Sequence, residues 1–308
     1  HFVRRRQRQM CIRDRGIRPG SLNRKTMIEY KSHGFSDAHI ADALNGFKPT
    51  GWKALPNDCN EETVMHRRHE LKVHPRYRMV DSCAAEFAAK TPYYYSTYEP
   101  FQDDGIDHVP NLDKREKQRM VAIGSGPIRI GQGIEFDYGC VHAVMAIRSA
   151  GMDAVLINNN PETVSTDFDT SDRLYFDPLT SECVSEILLR EKAHGILLQF
   201  GGQTAINLAQ PIEKRLTHLA SKGADVQILG TSVDGIDEAS DRERFEAFAK
   251  KHGLRMPNGA TGTTADDIRK AVDSIGFPVL IRPSYVLGGR GMEILSNETQ
   301  LEAYLKEA

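Results

Sequence analysis

The most informative segment of this chain reads Met120-Val-Ala-Ile-Gly-Ser-Gly-Pro-Ile-Arg-Ile-Gly-Gln-Gly-Ile-Glu-Phe-Asp-Tyr138. Its apolar beginning, Val121 to Ile123, predicts a short buried strand. The glycines that follow allow a tight turn and a close backbone approach to another group; they are Gly124, Gly126, Gly131 and Gly133. A strand, a glycine turn and a helix are therefore predicted in that order. Backbone N–H groups and a helix N-terminus at such a turn would stabilise an anion.

The spacing of these glycines leaves two interpretations open. They either hold a phosphate or simply allow a helix to pack closely on a sheet. A dinucleotide fingerprint would have glycine where Arg129 stands, and no acidic residue ends the next predicted strand at Ile157-Asn158. A nicotinamide-dependent dehydrogenase is therefore a disfavoured alternative.

Short apolar runs alternate with helical patterns through the middle of the chain. Predicted strands lie at 121–123, 154–157, 174–176, 195–200 and 226–229, and predicted helices at 138–150, 181–192 and 203–219. This alternation is typical of right-handed crossovers and of a parallel sheet covered on both faces. Ligands of such sheets bind beyond the carboxyl ends of the strands, so the site is expected in loops 124–133, 158–166, 201–204 and 230–232.

The region before this stretch is predicted to be helical, with helices that include 61–72 and 81–90, followed by a linker from 100 to 117. His66 and His69 are three residues apart on one of these helices, a spacing that can bring two metal ligands together. Neither standard zinc-protease motif is present, and a solvated helix face is the favoured interpretation. Residues 1–18 contain seven arginines and are interpreted as a non-native leader rather than a basic arm.

Near the carboxyl terminus, two apolar strands at 279–284 and 292–295 are predicted to form a hairpin around a glycine loop. Arg282 ends the first strand, and its guanidinium can donate a forked pair of hydrogen bonds to phosphate oxygens. Backbone N–H groups of the loop can also bind an anion. The loop is not a P-loop. A phosphate site and an ordinary glycine-rich turn both remain open at this point.

Composition excludes several classes of protein. The 308 residues are 40% apolar and 27% charged, and the net charge of −2 indicates no polyanionic partner such as nucleic acid. No apolar run approaches the roughly 18 residues of a membrane helix. The five cysteines are widely spaced, as is typical of reduced thiols in a cytoplasmic protein.

The wording of five segments is much more specific than their spacing. They are Gly126 to Tyr138, Asn160-Pro-Glu-Thr-Val-Ser-Thr-Asp167, Thr170-Ser-Asp-Arg-Leu-Tyr-Phe176, Gln199-Phe-Gly-Gly-Gln-Thr204 and Arg282-Pro-Ser-Tyr-Val-Leu-Gly-Gly-Arg290. In this order they closely resemble the large subunit of carbamoyl phosphate synthetase. The resemblance covers about residues 20 to 308 and is strongest from Val121 onward.

The resemblance implies an α/β protein with three successive parts after the leader. Residues 19–112 would be an N-terminal all-α domain like the family's oligomerisation domain, with a linker. Residues 113–235 would be a Rossmann-like, parallel-sheet pre-ATP-grasp domain. Residues 236–308 would begin an ATP-grasp domain with its first α+β lobe. ATP-binding residues carried over from the family are Arg282, Gly288 and Gly289, together with Arg242 in Asp-Arg-Glu-Arg-Phe.

The words Arg129-Ile-Gly-Gln-Gly-Ile-Glu-Phe136 resemble the second half of the large subunit, which phosphorylates carbamate with ATP to give carbamoyl phosphate for pyrimidine and arginine biosynthesis. The resemblance implies ATP with Mg²⁺ or Mn²⁺, whose ligands in the family lie beyond the position of Ala308. It also implies an oligomer, the rest of the large subunit and a glutamine amidotransferase small subunit or domain as partners. We expect no turnover from these residues alone. The alternative is a non-catalytic oligomerisation or binding module.

Overall fold

A computed structural model of the chain describes residues 22–46, 59–84, 86–87, 90–98, 107–110, 117–129, 132–283 and 291–307. The leader predicted at 1–18 and the glycines Gly288 and Gly289 lie outside these residues. The chain divides into two compact units. Unit 1 comprises the described residues up to Pro127 and those of Ile134–Val233, and unit 2 comprises those of Ile128–Gly133 and from Asp234 onward.

A seven-stranded sheet forms the centre of unit 1. Its strands are β1 (Arg76–Met79), β2 (Tyr93–Thr97), β3 (Arg119–Ile123), β4 (Asp153–Ile157), β5 (Arg173–Tyr175), β6 (Gly195–Leu197) and β7 (Gln227–Leu229). They lie in the order β1-β2-β5-β4-β3-β6-β7, and all neighbours are parallel except β1 and β2. Every residue of β3, β4 and β5 is buried, as expected for strands covered on both faces. The predicted parallel sheet is confirmed.

The helices of unit 1 are α1 (Arg24–Ser32), α2 (Asp37–Gly46), α3 (Glu61–Glu70), α4 (Glu135–Ser149), α5 (Ser181–Glu191), α6 (Gly202–Ile206) and α7 (Ala209–Ser221). The single helix predicted at 203–219 is thus two helices. Pro211 explains the break, since it has no N–H to donate and its ring crowds the carbonyl of Asn207 four residues earlier. None of the helices in the described part of the chain is long and apolar enough to cross a membrane.

The predicted all-α character of residues 19–112 is wrong. The segment contains β1 and β2, and β2 joins the sheet through the pairs Tyr93↔Leu174 and Tyr94↔Tyr175. Aromatic residues favour strands, and here that preference is realised through pairing with a strand 81 positions away in the chain. The helix predicted at 81–90 is wrong as well, because the described residues 81–84 and 86–87 form turns and bends.

Helices α1, α2 and α3 each follow a polar residue, Asn23, Ser36 or Asn60, whose side chain accepts a hydrogen bond from the first turn. The Asn23 side chain accepts a hydrogen bond from Thr26 N at 3.0 Å, and Asn60 accepts one from Thr63 N at 2.9 Å. The three helices share a small apolar core that includes Met27, Ile40 and Val64. They therefore form an ordered layer within unit 1.

Unit 2 contains α8 (Val233–Ser240), α9 (Arg242–Lys251), α10 (Ala265–Ile275), β8 (Val279–Ile281), β9 (Glu293–Leu295) and α11 (Glu298–Glu307). Strands β8 and β9 pair antiparallel, which confirms the predicted hairpin. Val272, Val279, Leu295 and Leu301 form its apolar core, so α10 and α11 pack on the hairpin. Arg269 of α10 also donates to both carboxylate oxygens of Glu302 in α11, at 2.6 and 3.0 Å.

Candidate nucleotide-binding site

The glycine turn after β3 is held by the end of β4. Gly124 N donates to Ile157 O at 2.8 Å, and Gly126 N donates to the side-chain oxygen of Asn158 at 3.1 Å. Asn158 is fully buried, and its amide nitrogen donates in turn to Ser165 Oγ at 3.2 Å. These two backbone N–H groups are therefore used within the protein and are not available to an anion.

Close packing explains why glycine is needed in this turn. A Cβ atom on Gly124 would lie 2.4 Å from Asn158 Cγ, and one on Gly126 would lie 2.9 Å from Asn159 Oδ1. Gly126 also has a positive φ of 68°. The first turn of α4 carries Glu135 and Asp137, whose charge would repel an anion there. Of the two interpretations left open, the packing role is the one that the described residues of the turn support.

The switch point of the sheet lies between β3 and β6, where the strand order reverses. Gly201 follows β6, and a Cβ on it would lie 2.5 Å from the carbonyl oxygens of Ile123 and Gly124. The two chain segments are thus in direct contact at this point. The predicted loops do meet at one edge of the sheet, but there they pack against each other.

Arg282 lies at the end of β8, directly after the pair Ile281↔Glu293, and its side chain is exposed. The other end of the loop is fixed at Gly291, whose carbonyl accepts a hydrogen bond from Tyr304 OH at 2.9 Å. The hairpin thus presents a guanidinium at the base of the predicted glycine loop. Arg282 has no hydrogen bond or ion pair to another described residue.

Two arginines at the start of α9 have different environments. Arg244 donates to Asp234 at 2.7 Å and pairs with Asp237, and these hydrogen bonds raise its pKa above the usual range. Arg242, the first residue of the helix, is exposed and has no such partner among the described residues. Of the two, Arg242 is therefore the one left to contact a ligand.

Carboxylates in unit 2 do not suit a magnesium ion. Asp234 and Asp237 are paired with Arg244, and Asp266 and Glu302 are paired with Arg269. In the described part of unit 2, no three acidic, histidine or cysteine side chains converge on one point. The described residues of unit 2 thus include exposed arginines that a phosphate could contact, but they do not include a set of ligands that fits a metal ion.

A buried cluster of charges, which the sequence did not reveal, joins the helical layer to α5; we call it the charged interface. It consists of Lys31, Asp37, Arg68, Glu182 and Glu186. The fully buried Arg68 donates to Asp37 at 3.0 and 3.1 Å and to Glu186 at 2.8 Å. Lys31 pairs with Asp37 at 3.1 Å and also with Glu182.

The charged interface shifts the pKa values of its members. Burial opposes the charge of Arg68, but Glu186 and Asp37 outweigh it and raise the pKa of Arg68. Burial also raises the pKa of Glu182, and Asp37 adds to that effect against the attraction of Lys31. For Glu186, burial is outweighed by hydrogen bonds from two histidines and by Arg68, so its pKa is well below the usual value. The surroundings thus favour the charged forms of Arg68 and Glu186 but disfavour that of Glu182.

The solvated helix face predicted for residues 66–70 is confirmed for His66, Arg67 and Glu70, which are exposed, but is wrong for Arg68 and His69. His69 is only 6% exposed, and its Nε2 lies 2.6 Å from Glu186 Oε1. His218 of α7 lies beside it, and burial together with His69 and His66 lowers the pKa of His218 to about 4. The sequence showed charged residues on α3 but not that α5 and α7 would cover them.

Two family models match consecutive parts of the chain. The carbamoyl phosphate synthase preATP-grasp domain matches residues 116–238, and the carbamoyl-phosphate synthase L chain ATP binding domain matches residues 241–308. The five strands β3 to β7 and the packed glycine turn therefore lie in a pre-ATP-grasp domain of the ATP-grasp ligases rather than in a dehydrogenase. The hairpin lies within the residues that match the ATP-binding domain. The chain belongs to the family of the carbamoyl phosphate synthase large chain.

Relatives in this family share nearly half of their residues with the chain over the aligned region. The carbamoyl phosphate synthase large chain of Methanothrix thermoacetophila is 45% identical, over 100% of this chain and 26% of its own length. That of Myxococcus xanthus is 48% identical, over 92% of this chain and 24% of its own length. The chain thus spans about a quarter of the length of these relatives.

Solved structures are more distant. N5-carboxyaminoimidazole ribonucleotide synthetase from Thermus thermophilus is 17% identical with a TM-score of 0.44, over 61% of this chain and 43% of that one. A TM-score of this size does not establish a shared fold.

Proposed function

We propose that these residues belong to the half of a carbamoyl phosphate synthase that phosphorylates carbamate with ATP. A carbamate oxygen would form a bond to the γ-phosphorus, the bond to the β–γ bridging oxygen would break, and ADP would leave. Catalysis of this reaction depends on positioning and on neutralising the phosphate charge. The observation that carries the proposal is the exposed guanidinium of Arg282 at the base of the hairpin loop.

Each ATP-binding residue has a stated role in this proposal. Arg282 would donate a forked pair of hydrogen bonds to phosphate oxygens, as guanidinium groups do in other phosphate sites. Gly288 and Gly289 would bring backbone N–H groups over the phosphates. Arg242 would supply a second cation, since Arg244 is occupied by Asp234 and Asp237.

The chain covers about a quarter of the length of its relatives. We also propose a role for the complete protein. It would be a cytoplasmic enzyme of pyrimidine and arginine biosynthesis, receiving nitrogen from glutamine or ammonia through an amidotransferase small subunit or domain. Mg²⁺ or Mn²⁺ would be bound by residues outside those described here. We further propose that residues 19–112 contribute to oligomerisation, and that 113–235 and 236–308 are the pre-ATP-grasp and ATP-grasp parts.

ATP titration of the 308-residue chain tests the site. Arg282→Ala removes a charged hydrogen-bond donor worth about 1.5–3 kcal/mol. The Kd for ATP should therefore increase about tenfold to 150-fold. Arg255→Ala is the matched control, because Arg255 is also an exposed arginine of unit 2 but has no assigned role. It should leave the Kd unchanged.

Two results would contradict the proposal. If the parent chain and Arg282→Ala bind ATP equally, or neither binds it, Arg282 is not a nucleotide ligand. If the 308 residues alone release ADP steadily in the presence of carbamate, the expectation that they need the rest of the large subunit for turnover is wrong.

A further inference from the structure

Two histidines converge on one carboxylate at the edge of the charged interface. His69 Nε2 lies 2.6 Å from Glu186 Oε1, and His74 Nδ1 lies 3.3 Å from Glu186 Oε2. The three ligand atoms are all within 4.8 Å of one another. In the described ranges this is the one group of three such side chains. Imidazole and carboxylate are the ligands that zinc takes in many enzymes.

The charge balance favours a cation at this end of the cluster. Within the charged interface, the two basic side chains of Lys31 and Arg68 face three acidic ones, those of Asp37, Glu182 and Glu186, so acidic groups outnumber basic groups. Lys31 pairs with Asp37 and Glu182. Arg68 pairs with Asp37 and donates to only one of the two oxygens of Glu186, Oε1. The second oxygen, Oε2, faces His74. An added positive charge is therefore best placed between Oε2 and the imidazoles.

We propose that His69, His74 and Glu186 form a binding site for a divalent transition metal, with Zn²⁺ as its occupant. Zinc–nitrogen and zinc–oxygen bonds of about 2.0–2.2 Å at tetrahedral angles place ligand atoms about 3.3 Å apart. His74 Nδ1 and Glu186 Oε2 already have this separation, at 3.3 Å. His69 Nε2 reaches the ion by moving from Oε1, which keeps its hydrogen bond to Arg68.

The proposed metal site is open to solvent on one side, and a neighbouring histidine can orient one of its ligands. The side chain of His74 is 47% exposed, whereas those of His69 and Glu186 are 2% and 5% exposed, so the site opens to solvent on the His74 side. A water molecule can complete the coordination there. His69 Nδ1 lies 2.9 Å from His218 Nε2, so His69 can donate its remaining N–H to His218 while Nε2 binds the metal. This arrangement of a ligand with a hydrogen-bonded partner behind it is typical of metal-bound histidine.

The three ligands of the proposed metal site come from different elements of unit 1. His69 lies on α3, His74 lies between α3 and β1, and Glu186 lies on α5. A bound ion would therefore link the helical layer to a helix that covers the parallel sheet. The unfolded chain lacks this arrangement of ligands, so the ion would bind the folded state preferentially. Binding would therefore stabilise unit 1.

Zinc titration of the tag-free, chelator-treated 308-residue chain tests the site by isothermal calorimetry. One Zn²⁺ per chain should bind, and His74→Ala should weaken the affinity at least about tenfold. His74 is half exposed, so this variant is expected to fold. His142→Ala removes another exposed histidine and is the control, with unchanged affinity expected. Co²⁺ in place of Zn²⁺ should give visible absorption bands that His74→Ala abolishes.

Three outcomes would overturn the site: a stoichiometry well below one, equal affinity of the parent and His74→Ala, or an equal loss of affinity in His142→Ala. A second variant, Glu186→Gln, should also weaken zinc binding; if this buried substitution prevents folding, the half-exposed His74→Ala decides the result. The readouts involve no ATP, so they are independent of the proposed carbamate phosphorylation.

Discussion

Replacing Arg68 by Met should strongly destabilise unit 1. Arg68 is fully buried and donates to Asp37 and Glu186, which are 0% and 5% exposed at their side chains. Methionine fills much of the same volume but provides no charge and no donor. Both carboxylates would then lie in the interior with fewer compensating interactions, which is the costly situation for a buried ion.

The magnitude follows from the burial. Removing one partner from a buried ion pair costs about 3–5 kcal/mol. In a unit of this size each kcal/mol lowers the melting temperature by roughly 2–4 °C, so Arg68→Met should lower it by about 6–20 °C. Its neighbour Arg67 provides the matched control, since its side chain is 46% exposed and pairs with Glu70, which is 65% exposed. Arg67→Met should cost no more than about 1 kcal/mol.

Thermal unfolding followed by near-ultraviolet circular dichroism is a suitable assay, because the buried tyrosines Tyr77, Tyr94 and Tyr175 all lie in unit 1. Urea unfolding with the same signal gives the free energy directly. If Arg68→Met stays within about 1 kcal/mol of the parent, or matches Arg67→Met, Arg68 does not carry the electrostatic role assigned to it.

Gly124→Ala should destabilise unit 1 by about 1–3 kcal/mol in urea unfolding, because its methyl group would overlap Asn158. Gly139 lies within α4, where an added Cβ would be at ordinary contact distance from its neighbours. Gly139→Ala should therefore leave the free energy of unfolding unchanged or raise it by up to about 1 kcal/mol. An equal loss of stability in both variants would refute the packing argument. Burial raises the pKa of the Cys183 thiol to about 12, so the reactive thiolate is scarce at pH 8 and increases only as the pH approaches that value. Peptide mass spectrometry should therefore find Cys183 alkylated by iodoacetamide at least about a hundredfold more slowly than Cys83 at pH 8, and similar rates would contradict this.

Elements that are indicated by a pattern within a short segment of sequence were predictable. Strand β3 ends in an apolar run, Met120 to Ile123, that is followed by glycine. Helix α10 is capped by Thr264, whose side chain accepts from Asp267 N at 3.2 Å. The hairpin of β8 and β9 also followed from short apolar runs around a glycine loop. In each case a pattern within a short segment of sequence indicates the element.

Strands β1 and β2 lacked such a signal. The stabilisation of β2 comes from β5, through Tyr93↔Leu174 and Tyr94↔Tyr175, and a pattern read within one window of sequence does not contain that pairing. The environment of the predicted ATP-binding residues could not be read from a short segment of sequence either. The wording around Arg282 suggested a phosphate ligand, but that its side chain is exposed at the end of a strand is a property of the folded hairpin.

By itself, the sequence determined the alternation of strands and helices, the helix caps and the family, because these depend on local preferences and on the wording of short segments. Tertiary structure alone decided the role of the charged residues on α3. Arg67 and Arg68 are identical neighbours in the chain, yet one is solvated and the other is fully buried against Asp37 and Glu186. The energy of a charge depends on the medium and on the partners around it. For Arg68 these partners come from α2, 31 residues away, and from α5, 118 residues away.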